Sequence, residues 1–212
     1  YLMYASRWFP FHDYSADTAT ADLTIIVPSD IQVAGSSDEP IQQESLGNMT
    51  RYRLTSSKPV LVGNLVAGKY MVRDLDAGSY HVSFYCRPSG SKFVDRFGAL
   101  IGQALQFYTR EFGPPSFGTS LIVAQIDDAS METYSGSGIL FISEKSFQGE
   151  ISEERILTEL ALQWWGHTVG LKSFNDVWLS QGLAQWSSYA FREASADSST
   201  VAQMRNTLEA RA

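Results

Sequence analysis

The sequence predicts an α+β fold, in which a β-rich N-terminal piece is followed by a lobe that combines a mixed sheet with helices. In the first third of the chain, short runs of apolar and β-branched residues lie between clusters of Gly, Pro and Ser. In the rest of the chain, apolar residues recur at helical spacing, with short apolar runs between the helical stretches. With 212 residues, of which 44% are hydrophobic, the chain can fill a sizeable core.

The β-rich piece contains several short predicted strands separated by turn residues. They are residues 22–27, 49–54, 60–67 and 69–72. Pro28 closes the first of them, and the polar residues 35–43 predict a loop. Short strands between Gly, Pro and Ser clusters are typical of a sandwich or a saddle-like sheet.

The pattern changes near Gly78, where a strand and a long helix are predicted in succession. Residues 79–86 alternate, which places Tyr80, Val82, Phe84 and Cys86 on one side. Apolar residues then recur at helical spacing up to Phe112, and Gly113 with the two prolines after it ends the helix. Two more strands are predicted over residues 120–126 and 138–142.

The remainder of the chain is predicted to be mostly helical. Ser152 is a suitable N-cap, and the two glutamates after it favour the positive end of a helix. A second helix is predicted over residues 176–192 and a third from Asp197 to the end. Four tryptophans at helical spacings are predicted to form a core stripe, namely Trp164, Trp165, Trp178 and Trp186.

Charge and cysteine content exclude several classes of function. The net charge of −7 argues against binding to nucleic acid or to anionic lipid, both of which require a basic surface. The single cysteine, Cys86, allows no internal disulfide and is predicted to be a buried core residue. No apolar run approaches the length of a membrane span. The compartment stays open, because bacterial-type periplasmic, extracellular and cytoplasmic locations all fit this sequence.

Several segments carry a resemblance to a known family. They are residues 7–13 (Arg-Trp-Phe-Pro-Phe-His-Asp), 66–70 (Val-Ala-Gly-Lys-Tyr), 107–115, 129–133 (Ala-Ser-Met-Glu-Thr), 158–166 and 175–184 (Asn-Asp-Val-Trp-Leu-Ser-Gln-Gly-Leu-Ala). In order and spacing these segments resemble the membrane alanyl aminopeptidase family of zinc metallopeptidases, the gluzincins. The resemblance implies that residues 1–77 are the end of an N-terminal β domain. It also implies that residues 78–212 are a truncated, thermolysin-like peptidase lobe.

The resemblance assigns the three zinc ligands of the family to positions 158, 162 and 181. At each of them this chain carries a different residue. The family motif His-Glu-x-x-His falls on residues 158–162, where Thr158 and Leu162 replace the two histidines. After eighteen intervening residues, Gln181 replaces the third ligand, a glutamate. Glu159 keeps the position of the general base and is interpreted as vestigial. Without a metal, we expect its carboxylate to pair with Gln181 or an arginine, or to take up a proton.

A second degenerate motif concerns substrate binding. In the family, the glutamate of Gly-x-Met-Glu-Asn binds the free amino terminus of the substrate, and here Met131 and Glu132 keep two positions of that motif. They are interpreted as a vestigial exopeptidase site. An inherited carboxylate at the end of a strand is the alternative interpretation of Glu132.

These departures predict a pseudo-peptidase, an inactive homologue with a peptide-binding, protein-binding or structural role. The alternative is an active zinc aminopeptidase with non-standard ligands, and only then would zinc be a cofactor. Its one candidate set is Glu159, Gln163 and His167 on one helix face. Of the other histidines, His12 belongs to the β-domain motif and His81 is predicted to be exposed on a strand.

The resemblance also bears on partners. Because the family's lobe continues beyond its third ligand, apolar helix surface would be exposed here. The expected partners are therefore a peptide or protein, a second copy of the chain, or a helical lobe that is missing from it.

Overall fold

The computed structural model describes residues 1–3, 8, 10, 17–128, 130–196, 201–203 and 206, and it confirms the α+β fold. The motif at residues 7–13, including His12, lies largely outside the described residues, as does most of the helix expected from Asp197. Within the described residues, no helix is long and apolar enough to span a bilayer.

The N-terminal piece consists of two small antiparallel sheets. Strands β1 (Ala19–Pro28), β3 (Gln42–Leu46) and β4 (Met49–Val60) form one sheet in the order β1-β4-β3. Strands β2 (Gln32–Gly35) and β5 (Leu65–Gly68) pair to form the other.

The predicted bounds of this piece need two corrections. The loop expected over residues 35–43 is shorter, because its two ends belong to β2 and β3. The run expected over residues 60–67 is interrupted, because residues 61–64 lie between β4 and β5.

A five-stranded mixed sheet follows, with the strand order β6-β7-β8-β10-β9. Its members are β6 (Met71–Ala77), β7 (Tyr80–Cys86), β8 (Ser120–Ile126), β9 (Thr133–Gly136) and β10 (Ile139–Ser143). The three central strands are parallel, and the two outer strands pair with them in the antiparallel sense. Strand β9 is thus the outer strand on one side of the sheet.

This sheet runs across the domain boundary expected at residues 77 and 78. Strand β6 lies before the boundary, yet it pairs with β7 along its whole length, from Met71 opposite Cys86 to Ala77 opposite Tyr80. The division into two domains stays a prediction, and the pairing favours a boundary before Met71.

Helix α1 (Ser91–Phe112) connects the parallel strands β7 and β8 and covers one face of the sheet. Its buried side includes Phe97, Ile101 and Tyr108, which pack against the inward row of β7 that begins at Tyr80. That inward row, including Cys86, was predicted from the alternation and is confirmed. The opposite face of the sheet packs against β2 and β5.

Two further helices complete the lobe. Helix α2 (Glu153–Leu162) begins at Ser152, whose hydroxyl accepts a hydrogen bond from the Arg155 amide, so the predicted N-cap is confirmed. A wider, π-helical stretch, Gln163–Thr168, continues it with a kink at Trp165. Helix α3 (Val177–Ser195) packs on α2.

The prediction of a four-tryptophan core stripe is wrong for two of the four. Trp164 is buried and Trp165 is half-buried, but Trp178 is 72% exposed and Trp186 is 54% exposed. The spacing of eight places both exposed tryptophans on one side of α3, but it does not tell which side faces the core. The buried side of α3 carries mostly small residues instead, namely Ser180, Ala184, Ser187, Ser188 and Phe191.

Candidate functional site

An open cavity of about 330 Å³ lies between β9, α2, the π-helical stretch and α3. Glu159 and Leu162 reach it from α2, because residues three apart lie on neighbouring positions of one helix face. Gln181 reaches it from α3, and Thr133 lines it from β9. The structure therefore brings together two of the three expected ligand positions and the expected general base.

Thr158, the remaining expected ligand position, does not share the cavity with Leu162 and Gln181. It is buried, and its hydroxyl donates a hydrogen bond of 2.8 Å to the Glu154 carbonyl one turn earlier in α2. Its oxygen therefore satisfies the backbone of its own helix, and Thr158 does not line the cavity as the described residues define it.

Glu159 has the partner that was expected for it. Its side chain is 7% exposed, and its Oε1 lies 2.9 Å from Nη2 of Arg155, one turn earlier in the same helix. Burial raises the pKa of Glu159, and the positive charge of Arg155 together with a hydrogen bond from Thr133 opposes that rise. Of the two donors anticipated, Gln181 and an arginine, the arginine is the one in place. Arg155 was not singled out from the sequence, although its spacing of four from Glu159 signals a helical ion pair.

Glu132 and Met131 lie next to this cavity but line a different one. The second cavity, of about 600 Å³, lies where β8 and β10 end, and its wall also includes Asp127, Asp128 and Glu144. The Glu132 carboxylate is half-exposed, with Oε2 3.6 Å from Nε of Arg155. Arg155 therefore contacts acidic side chains that line both cavities.

The alternative ligand set of Glu159, Gln163 and His167 is not assembled, because the Gln163 side chain does not line the cavity. Its amide nitrogen donates to the Ser135 hydroxyl and the Gly136 carbonyl, both at 2.8 Å, and its amide oxygen accepts from the Gly138 amide at 2.9 Å. Gln163 is fully buried and holds the turn between β9 and β10.

The His167 side chain also forms a hydrogen bond to β9. Its Nε2 lies 3.1 Å from the Ser135 carbonyl, which assigns the proton to Nε2 because a carbonyl can only accept. Its Nδ1 is buried and has no hydrogen-bond partner among the described residues. Burial lowers the pKa of His167 to about 4, against the opposing effect of the hydrogen bond to Ser135. The ring is therefore neutral at pH 7.

His81 and Cys86 lie in the environments that the alternation of their strand predicts. His81 is exposed and lies between Asp74 and Asp76 of β6, which confirms the prediction from the alternation. Cys86 is buried, as predicted. Across the described part of the chain, no group of three or more His, Cys, Asp or Glu side chains is arranged to hold a metal ion.

Comparison with known proteins gives a consistent result. Residues 117–212 match the Peptidase family M1 domain. The chain is 27% identical to Aminopeptidase N of Canis lupus familiaris over 205 residues, and 28% identical to Aminopeptidase M1 of Arabidopsis thaliana over 202 residues. Each alignment covers 87% of this chain but only 21% and 22% of the respective relative, so the chain spans about a fifth of their length.

A solved structure shares the fold. The M1 zinc metallopeptidase from Deinococcus radiodurans superposes with a TM-score of 0.77 at 22% identity, over 98% of this chain and 48% of its own. At this identity the superposition shows the shared fold alone, and the expected family is supported by the family match and the aminopeptidase relatives. Residues 117–212 of this chain are therefore similar to the Peptidase family M1 domain, and the chain is similar to Aminopeptidase N and Aminopeptidase M1 over about a fifth of their length.

Proposed function

We propose that this chain is a catalytically inactive aminopeptidase-like domain, a pseudo-peptidase, which binds a peptide or protein segment in the cavity between β9, α2 and α3. The observation that carries this proposal is Leu162, whose aliphatic side chain lines the cavity at the position that the resemblance assigns to a zinc-binding histidine. An aliphatic side chain has no lone pair with which to bind a metal.

The donors around Leu162 do not fit a zinc ion. A catalytic zinc site uses three protein ligands and leaves one position open for water. Of the groups present, Thr158 is hydrogen-bonded within its own helix, Glu159 is paired with Arg155, and Gln181 offers only an amide. Zinc lowers the pKa of bound water from about 15.7 to about 7, and Glu159 alone cannot replace that effect. Without it, a water molecule beside Glu159 stays a poor nucleophile.

Binding of an extended segment is supported by the position of β9. This strand is the outer member of its sheet, and Thr133, Tyr134 and Ser135 line the cavity. An outer strand can accept a further strand through main-chain hydrogen bonds, which is a common way to bind peptides. Because the Ser135 and Gly136 carbonyls already accept hydrogen bonds from His167 and Gln163, we place the added segment beside Thr133 and Tyr134.

Docking of a larger partner is supported by the exposed apolar residues of the C-terminal part. Among them are Val169, Phe174, Trp178, Leu179 and Trp186. Large exposed apolar patches mark interaction surfaces on soluble proteins. We propose a second copy of the chain, or a further helical lobe, as the partner that covers these residues.

The test of inactivity combines metal analysis with an activity assay. The protein is purified in the presence of zinc, its metal content is measured, and cleavage of amino-acid anilides is followed with and without a chelator. We expect no bound zinc and no cleavage. Stoichiometric zinc with chelator-sensitive cleavage would instead establish the alternative, an active enzyme with non-standard ligands.

A restored variant tests whether the ligand positions alone account for the loss. In the triple variant Thr158→His, Leu162→His, Gln181→Glu, we expect about one zinc ion per chain, because residues 162 and 181 already line one cavity. The double variant without the change at 162 serves as the matched control and should bind at least about tenfold more weakly. Equal zinc binding by the two variants would contradict the assignment of residue 162.

A further inference from the structure

Arg155 lies at the border of the two cavities and is held there by three side chains. Its Nη2 is 2.9 Å from Oε1 of Glu159, its Nε donates to the Thr133 hydroxyl at 2.9 Å, and the same Nε is 3.6 Å from Oε2 of Glu132. Glu159 and Thr133 line the smaller cavity, whereas Glu132 lines the larger one. The consecutive residues Glu132 and Thr133 thus line different cavities, and the guanidinium of Arg155 contacts both side chains.

The charges around Arg155 explain why it stays in place. Glu159 is almost fully buried, and a buried carboxylate is costly unless a cation or hydrogen-bond donors compensate it. His167, the other basic residue that lines the smaller cavity, is neutral at pH 7. Among the described residues that line this cavity, Arg155 is therefore the one positive charge at neutral pH. Its planar fork of donors also matches the geometry of carboxylates better than an ammonium group does.

We infer that Arg155 occupies a guanidinium site of its own chain, formed by Glu132, Thr133 and Glu159 where the two cavities border each other, and that it keeps other organic cations away from these side chains. Such a cation would have to displace Arg155 from both Glu132 and Glu159. Removal of Arg155 opens a site walled by two carboxylates and the Thr133 hydroxyl, which suits a guanidinium. This inference goes beyond the proposed function and does not depend on whether a peptide binds along β9.

Chemical rescue with methylguanidinium tests the inference. In Arg155→Ala, we expect a lower melting temperature than in the wild type, and a saturable rise of several degrees when methylguanidinium is added at millimolar concentration. Isothermal titration should give an affinity at least about tenfold higher for the variant than for the wild-type protein. Arg192→Ala is the matched control, because Arg192 also pairs with a glutamate, Glu154, but on the surface, and this variant should gain no such site.

Further variants keep the test decisive. If Arg155→Ala does not fold, Arg155→Gln replaces it, since its amide can still donate to Glu159 without carrying a charge. Addition of Glu132→Gln to either variant should weaken methylguanidinium binding, which a merely structural role of Arg155 would not predict. Equal affinity in the wild type and the Arg155 variant, or no saturable binding by a folded Arg155 variant, would overturn the inference. Zinc content and anilide cleavage do not enter this test, so its failure is distinguishable from failure of the proposed function.

Discussion

Glu159 and His167 are two ionisable side chains of the cavity, and burial favours the neutral form of each. Burial raises the pKa of the Glu159 carboxyl and lowers the pKa of the His167 imidazole. The folded state therefore binds more protons than the unfolded state at Glu159, and fewer at His167. Since stability rises with pH wherever the unfolded state binds more protons, the two residues act on stability in opposite directions.

His167 is expected to destabilise the fold in acid. Its pKa is about 4 in the folded state against an ordinary value of 6.5, so stability is lost as the pH falls from 6.5 towards 4. The full effect is roughly 3 kcal/mol of unfolding free energy. In His167→Gln, the amide can still donate to the Ser135 carbonyl but does not titrate. Urea denaturation at pH 7 and pH 4.5 should show a smaller acid-induced loss in this variant, and an unchanged loss would disprove the assignment.

Glu159 is expected to act in the other direction. Its folded-state pKa lies above the ordinary value of 4.5, so its contribution to stability is fully present below pH 4.5 and decreases as the pH rises through the folded-state value. Each unit of elevation corresponds to about 1.4 kcal/mol. Glu159→Gln should remove this decrease, whereas Glu159→Asp should retain it. Denaturant midpoints measured from pH 4 to pH 8 provide the comparison, and an identical slope in all three proteins would argue against a buried acid.

For individual residues, the sequence could predict which chemistry a side chain can perform, but not the direction in which that side chain points. That Leu162 cannot bind a metal follows from its side chain alone. That Glu159 needs a partner follows from the cost of burying a carboxylate. The direction in which Gln163 points could not be predicted, because it depends on the turn between β9 and β10, which lies more than twenty residues away in the chain.

Among the helices and strands, two glycines in helix interiors provide a matched pair of tests. A Cβ at Gly102 of α1 would lie 2.6 Å from the Cβ of Ala77 in β6, whereas a Cβ at Gly182 of α3 would meet nothing within 4 Å. We expect Gly102→Ala to lower the free energy of unfolding by about 1–3 kcal/mol, because overpacking forces the helix away from the sheet.

Gly182→Ala should instead raise the free energy of unfolding by about 0.5–1 kcal/mol, since alanine loses less backbone freedom in a helix than glycine does. Equilibrium urea denaturation of both variants measures the difference. A stabilising Gly102→Ala would mean that α1 and β6 are not in close contact.

Strand and helix positions were predicted best where a periodic pattern was bounded by turn residues. Strand β8 has the predicted bounds, and α1 ends at Phe112 before Gly113 as expected. Strand β9 was missed because its four residues are too few to establish an alternation. The side of α3 that faces the core could not be read from Trp178 and Trp186, because its buried side carries small residues rather than large apolar ones.

For the whole molecule, the exposed tryptophans lead to a prediction about association. Trp178 and Trp186 are 72% and 54% exposed on α3, and Phe174 just before that helix is 71% exposed. We expect the chain to self-associate as its concentration rises, and the double variant Trp178→Gln, Trp186→Gln to remain monomeric.

Sedimentation velocity over a range from micromolar to millimolar concentration measures this directly. Ile26→Gln, which alters an exposed apolar residue of β1, is the control and should associate like the wild type. A wild-type protein that sediments as a monomer throughout the range would rule out a second copy as the partner.

The pairing of β6 with β7 determines how this chain can be dissected. A fragment that starts at residue 78 would retain Tyr80–Cys86 but lose the strand beside it, so a row of main-chain donors and acceptors would face solvent. Unpaired edges of that kind recruit strands from other molecules, and such a fragment should precipitate during expression. A fragment that starts before Met71 keeps the hairpin closed, and it is the sensible choice for expressing the C-terminal lobe alone.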